Sequence, residues 1–178
     1  MQNVGRNREL MNPMLSVGDT VSVEVTSPQV YGVFCRNASA EMLVVIPETS
    51  WIASFNSCLQ FVRPGDQLTV KIKNIDIPTG KISASVKSVH PNPWETKKII
   101  VGGNYDARVV RFVESADRCC NKPAYLIELL PGAYVMLSAG DHQVASGQVV
   151  AVKILAADLR QASVVVDWAR PSGEQMKD

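Results

Sequence analysis

Apolar and polar residues alternate along most of this chain with a period of two. Val21, Val23 and Val25 interleave with Ser22, Glu24 and Thr26, and Leu68, Val70 and Ile72 interleave with Thr69, Lys71 and Lys73, the pattern of strands with one face on a core. Similar runs predict strands at 31–36, 42–46 and 81–87, separated by turn formers such as Arg63-Pro64-Gly65-Asp66 and Pro78-Thr79-Gly80. Five short strands therefore precede residue 90. Pro91-Asn92-Pro93 cannot continue a central strand, because its prolines lack ladder donors, so a connector is expected at 91–101. Beyond it the alternation restarts, predicting strands at 105–113, 124–129, 134–138, 149–157 and 163–168.

The second set of strands reads as a diverged copy of the first. Val25 matches Val109 at a shift of 84, Phe34 and Val44 match Tyr125 and Val135 at 91, and Gly65, Val70, Lys71, Ile72 and Asp76 match Gly147, Val152, Lys153, Ile154 and Asp158 at 82. The second half thus gains seven residues between its first two strands and loses nine between its third and fourth. Length changes that fall in loops while strand text is kept are expected when strands close the core. Five alternating strands without a helix-length segment favour a small closed barrel, since closure removes unpaired edges. The five-stranded oligonucleotide-binding (OB) barrel fits this count better than a seven-stranded sandwich. The expected fold is all-β: barrels at 15–90 and 102–168, a disordered segment at 1–14 and a frayed tail at 169–178.

Composition narrows the class. Among 178 residues, 46% are hydrophobic and 18 basic groups face 17 acidic ones, which excludes whole-chain disorder. The longest apolar runs, 42–47 and 148–157, fall far below the roughly 20 residues of a transmembrane helix, so no membrane partner is expected. Arg6 and Arg8 are not followed by an apolar signal core, and the expected location is the cytoplasm. Cys35, Cys58, Cys119 and Cys120 form no C-x-x-C pair and read as free thiols. His90 and His142 have no partner at metal-ligand spacing, and no phosphate-loop, dinucleotide or nucleophile-elbow motif occurs. Neither catalysis, nor a metal, nor a cofactor is expected.

Candidate chemistry gathers on the second strand. Tyr31 and Phe34 have opposite parity, so a regular strand would send one ring inward. A bulge at Gly32 would turn both to one face, giving a coplanar stacking platform for bases. Ordinary core aromatics are the other reading. Lys81 and Lys87 would meet phosphate or serve only solubility, and Asp76 would accept from a ribose hydroxyl or exocyclic amine, or simply start the turn through Pro78 and Gly80.

Residues 16–94 resemble an S1 RNA-binding domain, the repeat unit of ribosomal protein S1 that also occurs in polynucleotide phosphorylase and in translation and RNA-decay factors. The resemblance rests on ordered motifs: Val17-Gly18-Asp19-Thr20-Val21, Tyr31-Gly32-Val33-Phe34-Cys35, Gly65-Asp66 leading to Asp76, Gly80-Lys81, Ser85-Val86-Lys87 and Pro91-Asn92-Pro93-Trp94. It implies an RNA face built from Tyr31, Phe34, Asp76 and Lys81, with Val45 standing where the family carries His and Pro47 where it usually carries Ser. In the second half only Tyr125 keeps a ring position. Lys122 and Met136 fall on the first-aromatic and His positions, and Leu159-Arg160-Gln161-Ala162 replaces the Gly-basic turn. Arg108, Arg111, Arg118, Lys122 and Arg160 remain as groups to track a backbone or to be solvated.

Neither half is strongly basic, so affinity for a nucleic acid would come from stacking, a local patch or avidity. The expected function is non-enzymatic binding of single-stranded RNA with little sequence preference, through Tyr31, Phe34, Asp76, Lys81, Lys87 and Tyr125, with a ribosome or RNA-processing complex as further partner. The alternative is a protein-docking scaffold with its aromatics in the core.

Overall fold

The computed structural model describes residues 14–114 and 122–169. Cys119, Cys120 and Arg118, with most of the two expected disordered ends, lie outside the described residues. Ten strands form in the order β1 (Thr20–Pro28), β2 (Gly32–Arg36), β3 (Glu41–Val45), β4 (Gln67–Asp76), β5 (Lys81–Ser85), β6 (Asn104–Val113), β7 (Ala124–Leu130), β8 (Ala133–Ser138), β9 (Val149–Asp158) and β10 (Ser163–Trp168). A strand forms in each of the ten expected stretches, the fifth ending at Ser85 rather than at Lys87.

The first five strands close into a barrel in the order β1-β2-β3-β5-β4, sealed by parallel pairing of β3 with β5 at Leu43 and Ser83. Val23, Val25, Val33, Cys35, Val44, Val70 and Ile72 point inward and are buried. Between β3 and β4 runs a long connection, 46–66, holding a short helix α1 (Cys58–Phe61) whose first turn is capped by Ser57 Oγ accepting from Leu59 N–H at 3.2 Å. Cys58, Phe61 and Val62 from this connection join the core of the first barrel.

The last five strands repeat the arrangement as β10-β9-β6-β7-β8. Their equivalence with the first five is visible in the backbone. Val25 N–H donates to Asp66 C=O at 2.8 Å while Val25 C=O accepts from Gly65, and Val109 bonds Gln148 and Gly147 in the same way. A bulge follows each of these valines, at Thr26 in β1 and Val110 in β6. The shifts of 84 and 82 read from the sequence therefore hold for the first and fourth strands.

The second-strand match does not. Val25 faces Cys35 across the ladder and Val109 faces Ile127, so Phe34 corresponds to Leu126 and Tyr125 to Val33. In the third strand Met42, not Val44, corresponds to Val135, and Val45 corresponds to Ser138. The aromatic side chains drew the second-strand match one residue out of place, which in a strand exchanges the two faces, and the third-strand match followed two residues out.

The second sheet differs in one further respect: β8 and β10 make no ladder. Trp168 Nε1 bridges the seam at one end, donating to Ser138 C=O at 2.8 Å. Along the rest, residues 50–54 of the first barrel's long connection lie in the gap. Ser50 Oγ donates to Tyr134 C=O at 3.2 Å and accepts from Tyr134 N–H at 2.9 Å, Trp51 N–H donates to Gly132 C=O and Ala53 N–H to Ala162 C=O. Ile52, 1% exposed, is a member of the second core. The first unit thus supplies the piece that completes the second.

Candidate nucleic-acid interface

On β2 the alternation is regular. Val33 and Cys35 are fully buried, and Phe34 faces outward opposite Leu43 of β3. Tyr31 precedes the strand, in a bend, and is 55% exposed. It reaches the same outer surface because the chain turns there, with Tyr31 C=O accepting from Ile46 N–H at 2.8 Å. The expected bulge at Gly32 is absent, the bulge lying on β1 instead. Gly32 is needed for another reason: a Cβ there would lie 2.8 Å from Val44 O of the neighbouring strand. The two ring centroids are 6.4 Å apart with planes at 89°, so the rings are perpendicular and not coplanar. Each ring therefore offers its own face, and one base cannot lie parallel to both.

Beside Phe34 runs a groove of about 650 Å³ whose walls include Leu43, Asn74, Asp76, Lys81 and Ser83. Asp76 and Lys81 are ladder partners at the ends of β4 and β5, which brings both to the rim. Asp76 also serves its turn: Thr79 Oγ1 donates to Asp76 Oδ2, and Gly80 N–H donates to Asp76 C=O at 2.7 Å. Val45, in the His position of the resemblance, is partly exposed on the same sheet face. Four sequence-derived residues, Tyr31, Phe34, Asp76 and Lys81, are thus gathered on one surface.

Two candidates fall elsewhere. Lys87 lies beyond β5 in a 3-10 turn, Lys87–Val89, paired with Glu48 Oε1 at 3.7 Å and held 5.0 Å over the Trp51 ring. Tyr125 points into the second barrel and is 5% exposed. Its ring packs against Phe112 and Trp168, and its hydroxyl donates to His142 C=O at 3.0 Å and accepts from Val144 N–H. The phenol ties the 139–148 loop to the barrel, and no open ring face is left for a base.

The counterpart of the ring face in the second unit is covered. Leu126, in the place of Phe34, is 0% exposed and belongs to the first barrel's core cluster together with Val113. Val110, Tyr134 and Met136 pack against the same cluster. Phe61 of α1 meets Tyr134 at 5.1 Å between centroids and stacks on Phe55 at 5.4 Å. Arg111 reaches across to donate to Leu59 C=O at 3.3 Å. The sequence carries a trace of this burial: Leu126, Met136 and Val113 are apolar at positions that would otherwise meet solvent.

Burial pushes the Cys35 thiol up to about 11, with the Glu41 charge adding to it, and burial alone pushes Cys58 to about 11. Both stay protonated at neutral pH. The Tyr134 phenol is also raised, first by burial and then by the Glu128 carboxylate, which pairs with Arg108 at 2.6 Å. Among the described residues no group of three or more His, Cys, Asp or Glu could hold a metal ion, and no helix is long and apolar enough to cross a membrane.

Comparison with known proteins shows what the chain is similar to. It is 26% identical over 168 residues to the small ribosomal subunit protein bS1 of Staphylococcus saprophyticus, covering 92% of this chain and 42% of that protein. It is similarly 27% identical over 177 residues to the small ribosomal subunit protein bS1 of Streptococcus pneumoniae, covering 90% of this chain and 42% of that protein. A shorter match, 28% over 102 residues, links 56% of the chain to 16% of a 4-hydroxy-3-methylbut-2-enyl diphosphate reductase of Clostridium acetobutylicum. Among solved structures, GSP13 of Bacillus subtilis aligns with 51% of this chain and 75% of its own at 26% identity and a TM-score of 0.40. The chain spans less than half the length of the curated relatives it matches. No protein-family model matches it.

Proposed function

We propose that this protein binds single-stranded RNA, with little sequence preference and without catalysis, through the outer face of its first barrel. The observation that carries the reading is the placement of Tyr31 and Phe34 as neighbours on one open surface, 6.4 Å apart, beside a groove rimmed by Asp76 and Lys81. Unpaired bases stack on aromatic faces whatever their identity, which accounts for low sequence preference. Lys81 meets phosphate, and Asp76 accepts from a ribose hydroxyl beside it. The homology to ribosomal S1 proteins supports this reading and suggests a cytoplasmic ribosome or RNA-processing complex as the setting. Tyr125 has no part in the face, being enclosed.

With a formal net charge of +1, the chain as a whole supplies little long-range attraction, so the rings carry much of the affinity. Titration of labelled poly(U) at micromolar protein tests the reading. Binding that weakens with salt is expected, and Tyr31→Ala with Phe34→Ala should lower affinity on the order of thirtyfold or more, from about 1 to 3 kcal/mol per stacked base. Affinity unchanged by the double substitution would show that the rings do not bind RNA.

A further inference from the structure

A second groove, of about 620 Å³, starts at Ile46, the residue that follows β3. Its walls come from three parts of the chain: Pro47, Trp51 and Phe55 from the long connection of the first barrel, Lys87 and Trp94 from the segment between the barrels, and Leu159 from the β9–β10 turn of the second. We propose that an RNA strand lying on Tyr31 and Phe34 continues into this groove, where a base stacks among the Trp51, Phe55 and Trp94 rings and Lys87 meets a phosphate. The proposal rests on the reading of the ring face as an RNA site.

Three observations carry it. The groove begins one residue beyond β3: Ile46 lines it, and its N–H donates to Tyr31 C=O at 2.8 Å, so Tyr31 and the groove's edge are neighbours in the backbone. Its rings are held in place before any ligand arrives: Trp51 Nε1 donates to His90 C=O at 3.3 Å, and Trp94 Nε1 donates to Trp51 C=O at 2.8 Å. Preorganised apolar rings bind a planar base without paying to order them. Lys87 is the one charged residue on the described walls, poised by Glu48 and by the Trp51 ring, so the groove offers a strand an aromatic floor and a single cation. Such a volume is in the range that encloses a nucleotide-sized group. The second barrel then serves RNA binding as a wall and not through a ring face of its own.

Labelled oligouridylates of about 4 and about 10 nucleotides, chosen to bracket the site of one barrel, separate the two sites. The longer oligomer should bind about tenfold more tightly than the shorter, the worth of one further stacked base, and it should quench Trp fluorescence where the shorter does not. Lys87→Gln should lessen that gain and reduce the slope of log affinity against log salt by a little under one unit for the long oligomer alone. Leu159→Glu, at a residue 68% exposed and so without a folding cost, should also remove the gain by placing a negative charge on the wall. Equal affinity for both lengths, or a gain that survives both substitutions, overturns the groove while leaving the ring face standing. Short-oligomer binding that ignores Tyr31→Ala and Phe34→Ala instead overturns the ring face. A groove that accepts protein segments and not RNA would give the first of these results.

Discussion

Phe34 and Leu126 hold the same place in the two units of this chain and have opposite surroundings. Phe34 stands on an open sheet face beside Tyr31, Asp76 and Lys81, whereas Leu126 is sealed against the first barrel by Phe61 and its neighbours. The contrast shows that one barrel face can be a ligand surface or an internal joint, and that the choice is written in a few outward side chains. It also shows dependence in one direction. The first sheet closes with its own strands, while the second relies on residues 50–54 of the first.

The largest effect is expected from breaking that dependence. Replacing residues 50–54 by a glycine-serine stretch of equal length should split thermal unfolding into two transitions, the second unit losing its tertiary near-UV signal before the first. One concerted transition at the original temperature would show that the second sheet closes unaided. A smaller and sharper test compares equivalent positions. Leu126→Ala should cost about 2 to 5 kcal/mol in denaturant unfolding, whereas Phe34→Ala should cost about 1 kcal/mol or less, because only the first leaves a cavity. Equal costs would contradict the assigned environments. The smallest effect concerns the matching turns. Gly80 and Ala162 both adopt positive φ, 69° and 50°, although only one is a glycine. Gly80→Ala should therefore lower stability and Ala162→Gly raise it, each by about 1 kcal/mol, as read from melting temperatures.

The ten strands were legible in the sequence because each buries one face and so alternates. The repeat was legible at Val25 and Val109, where the same bulge and the same pair of backbone bonds recur. That Tyr31, Phe34, Asp76 and Lys81 share one surface was implied by the resemblance to S1 domains, whose motifs stand in order along the chain. Their ring geometry was not, since the bend at Tyr31 and the bulge at Thr26 leave no mark in the period. Tyr125 was misplaced because a shared aromatic outweighed ladder register, which only pairing reveals. Lys87 lies apart from the ring face for a related reason: the strand run expected at 81–87 ends at Ser85, and the chain then turns away. The joint between the barrels was hidden in 46–66, a stretch with little periodicity whose Ile52 lies among residues of the other half.

Serine at position 50 has a consequence beyond holding the two halves together. A strand with free amides and carbonyls along one side is a template on which a strand from another molecule can grow, the first step of ordered aggregation. On β8 the amide and carbonyl of Tyr134 that face away from β7 are already taken by the hydroxyls of Ser50 and Ser54. The loop that makes one half depend on the other thus also withholds these two groups from the strand of a second copy.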